Sequence, residues 1–438
     1  MPITVAEMSN LLRRWSRERR RARRSARRTK VRSPFQKQMH DLWVVAKSLV
    51  AVFVVWNLVS FVRYVAHDNG DTTSQRMATW GRNHYMGSFI DWMETRVYST
   101  PPSKDPAKNL ALTAPTLAPD PTTTTAPAGQ KPNTPAGPAP TTTLAPVAAI
   151  GPAPVAPEPI APQISPALAG EGQWTPIARA AGHDTIWATS VRPLAEAGGV
   201  VATVVEIDQT DLRTGLFNGA EEPGGTWKRA NRVPGELQPA LLAAMNGGFR
   251  FEHIKGGYKT EGIEVKPLKQ GDATLAVGTD GHVALGEFGR DINDDGSWIS
   301  FRQNLILIVD NAKSQVQKGV NEGVWWGADY GNAVYVPRSA ACEMRDGRLA
   351  YALVGKVNAT QLAQSLINIG CVKAMQLDIN GTWPVFFTFG PDAAGNLTGH
   401  FVDKRMGGNP SRYLTGSTKE FFAFFDATLV PSPSVLDN

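Results

Sequence analysis

A stretch from Leu42 to Val62, apolar apart from Lys47, Ser48, Asn57 and Ser60, constrains this chain more than any other feature. Its length is near the roughly 20 residues that a bilayer core requires, so residues 42–63 read as a transmembrane helix. The competing reading is a buried helix of a soluble protein. Lys47 sits near the start, where its ammonium can snorkel, and Trp43, Trp56 and Tyr64 suit interfacial positions. Residues 1–41 form a basic tail with Arg13, Arg14, Arg17, Arg19, Arg20, Arg21, Arg23, Arg24, Arg27 and Arg28 in one run, which concentrates the formal charge of +6. In front of an apolar span such a run reads as a cytoplasmic flank, and no nucleic-acid partner is expected. The N-terminus is therefore expected in the cytoplasm and everything after the span outside it. RYVAHDNG, which follows the span, lacks a small-x-small site, which argues against a cleaved signal peptide.

Residues 64–99 carry Trp80, Tyr85, Phe89, Ile90, Trp92 and Met93 among polar residues, a pattern of one or two short amphipathic helices beside the membrane. Residues 100–170 are built from Pro, Ala and Thr, with runs such as PTTTTAPAGQ. That composition predicts a disordered, polyproline-like spacer with hydroxyls for O-linked sugar, reaching on the order of 200 Å when stretched. Such reach would suit a thick cell envelope.

The globular part runs over 171–438. VVATVVEID alternates as a strand, LQPALLAAMNGGF reads as a short apolar helix turning into a Gly-Gly corner, and TLAVGTDGHVAL reads as a hairpin around Thr279, Asp280 and Gly281. RLAYALVGKV is another strand. Ala359 to Ile369 carries Leu362, Leu366 and Ile369 at helical spacing, with Asn358 or Thr360 placed as cap. Hairpins outnumber helices, which predicts an α+β domain with a largely antiparallel sheet flanked by helices rather than a doubly wound sheet.

The two cysteines, Cys342 and Cys371, lie on the expected outer side, where a disulfide would close a loop of about 28 residues and add roughly 3 kcal/mol. Spacing does not establish that they meet. No HExxH, CxxC or histidine cluster is present, and no metal or cofactor is expected. Asp291-Ile-Asn293-Asp-Asp295-Gly296 opens like a calcium loop, but its closing position holds Arg302, so it reads as a surface turn.

Chemistry gathers in three places. Val372 to Phe389 holds an apolar strand ending on Asp378, then Asn380-Gly381 and a second aromatic strand. A carboxylate at a strand end is either held rigidly for catalysis or caps the turn through its backbone. Asn246-Gly247-Gly248-Phe249 is a corner whose glycines permit close backbone approach and whose amide can read a hydroxyl or phosphate. Arg338-Ser339-Ala340, followed by Arg345-Asp346-Gly347, is the third.

In this order and spacing, NGGFR, RSAACEMRDGRLAYALVG, a helix to Gly370 and LDINGTWP resemble the phosphodiester glycosidase family, over roughly Ala202 to Asp426. The resemblance implies a mixed fold with a largely antiparallel sheet and a hydrolase of sugar-phosphodiester linkages, which the apolar span and spacer before it would anchor to a membrane and direct at cell-envelope glycan. It makes Asn246, Arg338 and Asp378 the family-like site positions. A phosphate is already a good leaving group, so one carboxylate and one cation can suffice. Asp378 would then be base or nucleophile, Arg338 a fork on phosphate, and Asn246 with Gly247 and Gly248 a sugar-binding corner. Lys259 is a secondary binding candidate, and Glu261 is either a second carboxylate or a strand-surface acid. The chain departs from the family at Arg250 and at Ile379-Asn380-Gly381-Thr382, where the family carries glycines and a serine. Ile379 and Asn380 are thus expected to tune what is bound, with Asn380, Gly381 and Thr382 as substrate-binding positions. Two other classes remain beside the hydrolase: an inert glycan-binding module on the same fold, and an envelope scaffold.

Overall fold

The computed structural model describes residues 15, 17–21, 34–67, 73–113, 117, 153–324, 326–327, 334–379 and 381–437. The chain divides into two units, Met1–His67 and Asp68–Asn438. In the first, a single helix, α1, spans Pro34–Ala66. Its stretch Lys37–Ala66 is long and apolar enough to cross a membrane, and it contains the 42–63 span read from the sequence. Lys47 folds back over the Trp43 ring, 4.2 Å from its centroid.

The second unit opens with α2 (Thr73–Gly81) and α3 (Gly87–Tyr98), joined by a π-helical turn at Arg82–Met86 that kinks where Tyr85 takes φ 67°. These are the amphipathic helices expected there. A Cβ at Gly81 would lie 2.5 Å from Ile90 Cδ1, so the missing side chain is what lets α3 close on α2.

The spacer expected over 100–170 needs correction at both ends. Ala107 N–H donates to Gly198 O at 2.8 Å, Gly199 N–H to Ser103 O at 2.9 Å, and Thr113 N–H to Val402 O at 2.9 Å. On the far side Ile160 is buried, and the Trp174 indole donates to Glu158 O at 2.9 Å. Arg192, buried against Glu171, donates to Pro166 O at 2.7 Å. Composition misled because a proline-rich strip still offers carbonyls, and the few non-proline amides and apolar side chains suffice to dock it. The remainder, 114–116 and 118–152, lies outside the described residues.

The domain's strands are β1 (Thr175–Ala180), β2 (His183–Val191), β3 (Ala202–Ile207), β4 (Leu212–Phe217), β5 (Leu241–Asn246), β6 (Tyr258–Thr260), β7 (Ile263–Lys266), β8 (Ala273–Gly278) and β9 (Val283–Glu287). They continue with β10 (Trp298–Gln303), β11 (Val309–Asp310), β12 (Lys313–Ser314), β13 (Val336–Met344), β14 (Leu349–Val357), β15 (Cys371–Gln376), β16 (Phe386–Pro391), β17 (Leu397–Phe401) and β18 (Phe421–Asp426). They form an eight-stranded sheet in the order β1-β2-β3-β14-β13-β15-β11-β12 and two five-stranded sheets, β7-β6-β10-β8-β9 and β17-β16-β5-β18-β4. The strand pairings within these sheets are antiparallel, as for β13 with β14 and β15.

Period-two alternation sets the layers. In β14, Ala350, Ala352 and Val354 pack with Leu362, Ala363 and Leu366 of the helix Ala359–Asn368 on one face of the large sheet. Leu349, Tyr351 and Leu353 point the other way, into a core shared with Phe386, Phe421, Phe424 and Leu275 of the smaller sheets. The helix starts as expected: Asn358 Oδ1 accepts from the Gln361 N–H at 2.9 Å, and Gln361 returns the contact as a capping box. The hairpin at 279–281 joins β8 to β9. Cys342 and Cys371 are bonded across β13 and β15, with Cα atoms 5.7 Å apart.

The helix expected within LQPALLAAM is not formed. A 3-10 turn at Gly235–Ala240, containing Pro239, gives way to β5, which pairs with β16 on one side and β18 on the other. Two flanking ladders outweigh the helix propensity of Leu and Ala in so short a run. β15 and β16 also lie in different sheets, so Asp378 sits where the chain crosses from the large sheet to a small one.

Candidate active site

β5 delivers Asn246 to this crossover, buried at 2% exposure. Its Oδ1 accepts from Val385 N–H at 3.0 Å and from the Tyr351 hydroxyl at 3.2 Å, while Nδ2 donates to Gly247 O at 2.7 Å and Ser339 Oγ at 3.4 Å. Both ends of the amide are therefore spent on the protein. Asn246 thus links β5 to β13 and β14 and bonds Ser339.

Ser339 in turn fixes Asp378. Its hydroxyl donates to Asp378 O at 3.1 Å and accepts from Asp378 N–H at 3.1 Å, and its own N–H donates to Asp378 O at 2.9 Å. The Asp378 side chain is left for other work. Oδ1 accepts from Ile379 N–H at 2.7 Å, and Oδ2 meets the ammonium of Lys419 in a tight ion pair. Asp378 is 1% exposed and Lys419 2%. The acid thus caps the turn with one oxygen and holds a buried cation with the other.

Lys419 arrives from the loop into β18. Its Nζ also donates to Gly248 O at 2.9 Å and stands 4.9 Å from the centre of the buried Trp383 ring. The next residue, Glu420, pairs with Arg302 at 2.6 Å and accepts from Gly248 N–H at 3.0 Å. These contacts explain the two glycines. A Cβ on Gly247 would lie 2.4 Å from Glu420 Oε1, and one on Gly248 would lie 3.0 Å from Arg302 Cζ and Asn304 Cγ. Glu222, beside Lys419, accepts from Phe251 N–H at 3.1 Å, and burial holds its carboxyl above the usual range, opposed by Lys419. At the rim, burial lowers the His253 imidazole below its ordinary value. Glu252 and Asp378 oppose that shift, and Arg82 and Lys419 add to it.

The remaining residues singled out by sequence are placed elsewhere. Arg338 is fully buried and donates to Val357 O at 3.0 Å, Trp326 O at 2.6 Å, Val334 O at 3.3 Å and Gln376 Oε1 at 3.2 Å. A guanidinium engaged on carbonyls in this way ties Trp326 and Val334 to β13. Glu261 accepts from the backbone N–H groups of Lys228 and Arg229 at 3.0 and 2.8 Å, and Lys259 pairs with Asp294 at 2.5 Å. Both serve the β6–β7 corner and make none of the contacts described around Asp378. Thr382 O accepts from Arg412 at 2.7 Å, which ties the loop after Gly381 to the turn before β18, and Asn380 lies outside the described residues. Ile379 points its Cδ1 to within 2.5 Å of where a Cβ on Gly327 would stand, so the added bulk is matched by a glycine opposite.

Sequence reasoning missed Lys419, Glu420, Arg302 and Glu222. One signal was present: Lys419-Glu420 is a charged pair directly before the apolar run FFAFF, an unusual place for two ionic side chains unless they are paired. Among the described residues no cluster of three or more metal-ligating side chains occurs.

Residues 240–378 match the phosphodiester glycosidase family model. No curated protein matches the sequence. Among solved structures, the zebrafish N-acetylglucosamine-1-phosphodiester alpha-N-acetylglucosaminidase catalytic domain auto-inhibited by pro-peptide is 16% identical with a TM-score of 0.37, covering 55% of this chain and 81% of that one. A hypothetical protein from Synechocystis is 11% identical with a TM-score of 0.38, covering 56% and 63%. The corner at Asn246, the strand at Arg338 and the acid at Asp378 all fall within the 240–378 stretch that matches the phosphodiester glycosidase family model.

Proposed function

We propose that this domain hydrolyses the glycosidic bond of a sugar phosphodiester in cell-envelope glycan, outside a membrane to which α1 anchors it with the N-terminus in the cytoplasm. The observation that carries the reading is the buried Asp378–Lys419 pair at the strand crossover, whose acid is the last residue of the family-matched stretch. A phosphate oxygen reaching Lys419 takes over part of that pairing and releases Asp378 to act as base. Water then adds at the sugar's C1, Asp378 takes its proton, and the bond from C1 to the bridging oxygen breaks. That oxygen leaves on the phosphate as a monoester. Trp383 supplies an apolar wall beside the cation, suited to a sugar face.

The inert glycan-binding reading is favoured by one observation, the Ile379 side chain packed opposite Gly327 in place of a family glycine. Turnover decides between them. The purified full chain in detergent is given a panel of sugar-1-phosphodiesters, and phosphomonoester release is followed. Wild type should turn over at least one, and Asp378→Asn should lower the rate by about 10² or more while keeping affinity. Binding without turnover in wild type supports the inert module instead.

A further inference from the structure

The strongest unassigned feature is the outer face of α3. Phe89, Trp92, Met93 and Val97 recur at i, i+3, i+4 and i+8, and each is between 44% and 64% exposed. At the edge of this face Ile90 is buried against Gly81 of α2. At the kink, Tyr85 and Met86 are exposed as well, Tyr85 at 98%. The Arg96 guanidinium stands 4.7 Å from the Trp92 ring centre, a cation beside an amphipathic ring. Phe, Trp, Met and Val with a flanking arginine on one helix face, beside an exposed Tyr at the kink, form the composition that settles at a bilayer surface.

Chain length says what covers this face. α1 ends at Ala66 and α2 begins at Thr73, so the link is at most on the order of 25 Å when fully extended. Residues 103–113, which follow α3, are bonded to the globular domain, and Tyr335 N–H donates to Tyr98 O at 2.9 Å. The proline-rich stretch beyond 113 therefore does not separate α3 from α1.

We propose that the Phe89/Trp92/Met93/Val97 face lies in the membrane interface, and that the domain's substrate is a sugar phosphodiester whose alcohol is a membrane lipid. The second half rests on the hydrolase reading. It follows because α3 ends on the strand that holds the candidate acid: Tyr98 O accepts from Tyr335 N–H at 2.9 Å, directly before β13, whose Ser339 hydroxyl is bonded to the Asp378 backbone. A face held at the bilayer brings that site to lipid-borne substrate at high effective concentration.

The test uses the full chain in phosphatidylcholine/phosphatidylglycerol vesicles. Both native cysteines are bonded, so Trp92→Cys can be labelled with an environment-sensitive dye, with Ala394→Cys in the β16–β17 turn as the remote control. Spin labels on the lipid acyl chains should quench the dye at 92 several-fold more than at 394. Equal quenching overturns the docking, and a blue-shifted dye at 92 that the spin labels do not quench places the face against protein and overturns it too. In a second arm, wild type should cleave a vesicle-borne sugar phospholipid about tenfold or more faster than its short-chain soluble analogue. The triple variant F89S/W92S/V97S should lose that preference and keep the soluble rate. No turnover on either substrate defeats the hydrolase reading and the substrate assignment with it, while the quenching alone decides the docking.

Discussion

Replacing Lys419 by methionine tests the site's electrostatics most sharply. Methionine keeps the apolar stem beside Trp383 and removes the charge that Asp378 holds. The Asp378 carboxylate, 1% exposed, keeps the Ile379 N–H on Oδ1 and loses its ammonium on Oδ2. Breaking a buried pair by removing one partner costs about 3–5 kcal/mol, a large share of the roughly 5–15 kcal/mol that holds an ordinary domain together. Asp378→Asn in the same background removes the stranded charge and should recover about 2 kcal/mol or more, a coupling that a double-mutant cycle isolates. Urea unfolding of the full chain in detergent, followed by near-ultraviolet circular dichroism, gives all four stabilities. A cost for Lys419→Met below about 1 kcal/mol near pH 8, or no recovery in the double variant, would refute the buried-pair argument.

Gly247→Ala should destabilise the domain by about 2 kcal/mol or more and lower turnover, because its Cβ collides with Glu420 Oε1 in the Arg302 pair; unchanged melting would contradict this. Burial raises the Glu206 carboxyl to about 7 against its ordinary 4.5, with Arg348 opposing and Asp346 adding. The folded state then holds the proton more tightly, so Glu206 should cost the domain up to about 3 kcal/mol as pH rises from roughly 5 to 8, and Glu206→Gln should flatten that part of the stability profile. Removing the Cys342–Cys371 bond by double alanine substitution should cost about 3–4 kcal/mol in urea, given a separation of 29 residues, and thiol labelling of the denatured, unreduced wild type should find no free cysteine.

What the sequence disclosed was mostly local. The helix after Asn358 has its cap, periodicity and terminal Gly370 within one short window, and the 279–281 hairpin carries its turn residues between two alternating runs. Asp378 stood out because a strand end followed by Asn-Gly is also a local signal. Lys419 did not, since its partner lies 41 residues away and only the meeting of β15's end with the loop before β18 joins them. Arg338 illustrates the same limit. An arginine beside a family-like strand has the right chemistry for phosphate, but its acceptors are carbonyls brought in from residues 326, 334 and 357. The docked ends of the proline-rich stretch were hidden for another reason: composition averages over residues such as Ile160 that decide where a strip of chain attaches.

The central claim is hydrolysis at the glycosidic carbon, and oxygen-18 water tests it most directly. The full chain is allowed to cleave a sugar-1-phosphodiester in labelled water, and the phosphomonoester product is read by phosphorus NMR, where a heavy oxygen shifts the resonance. Attack at C1 with Asp378 as base leaves the phosphate unlabelled, and Asp378→Asn should produce almost none of it. Heavy oxygen on the phosphate would place the attack at phosphorus and contradict the account, as would an Asp378→Asn variant as active as wild type.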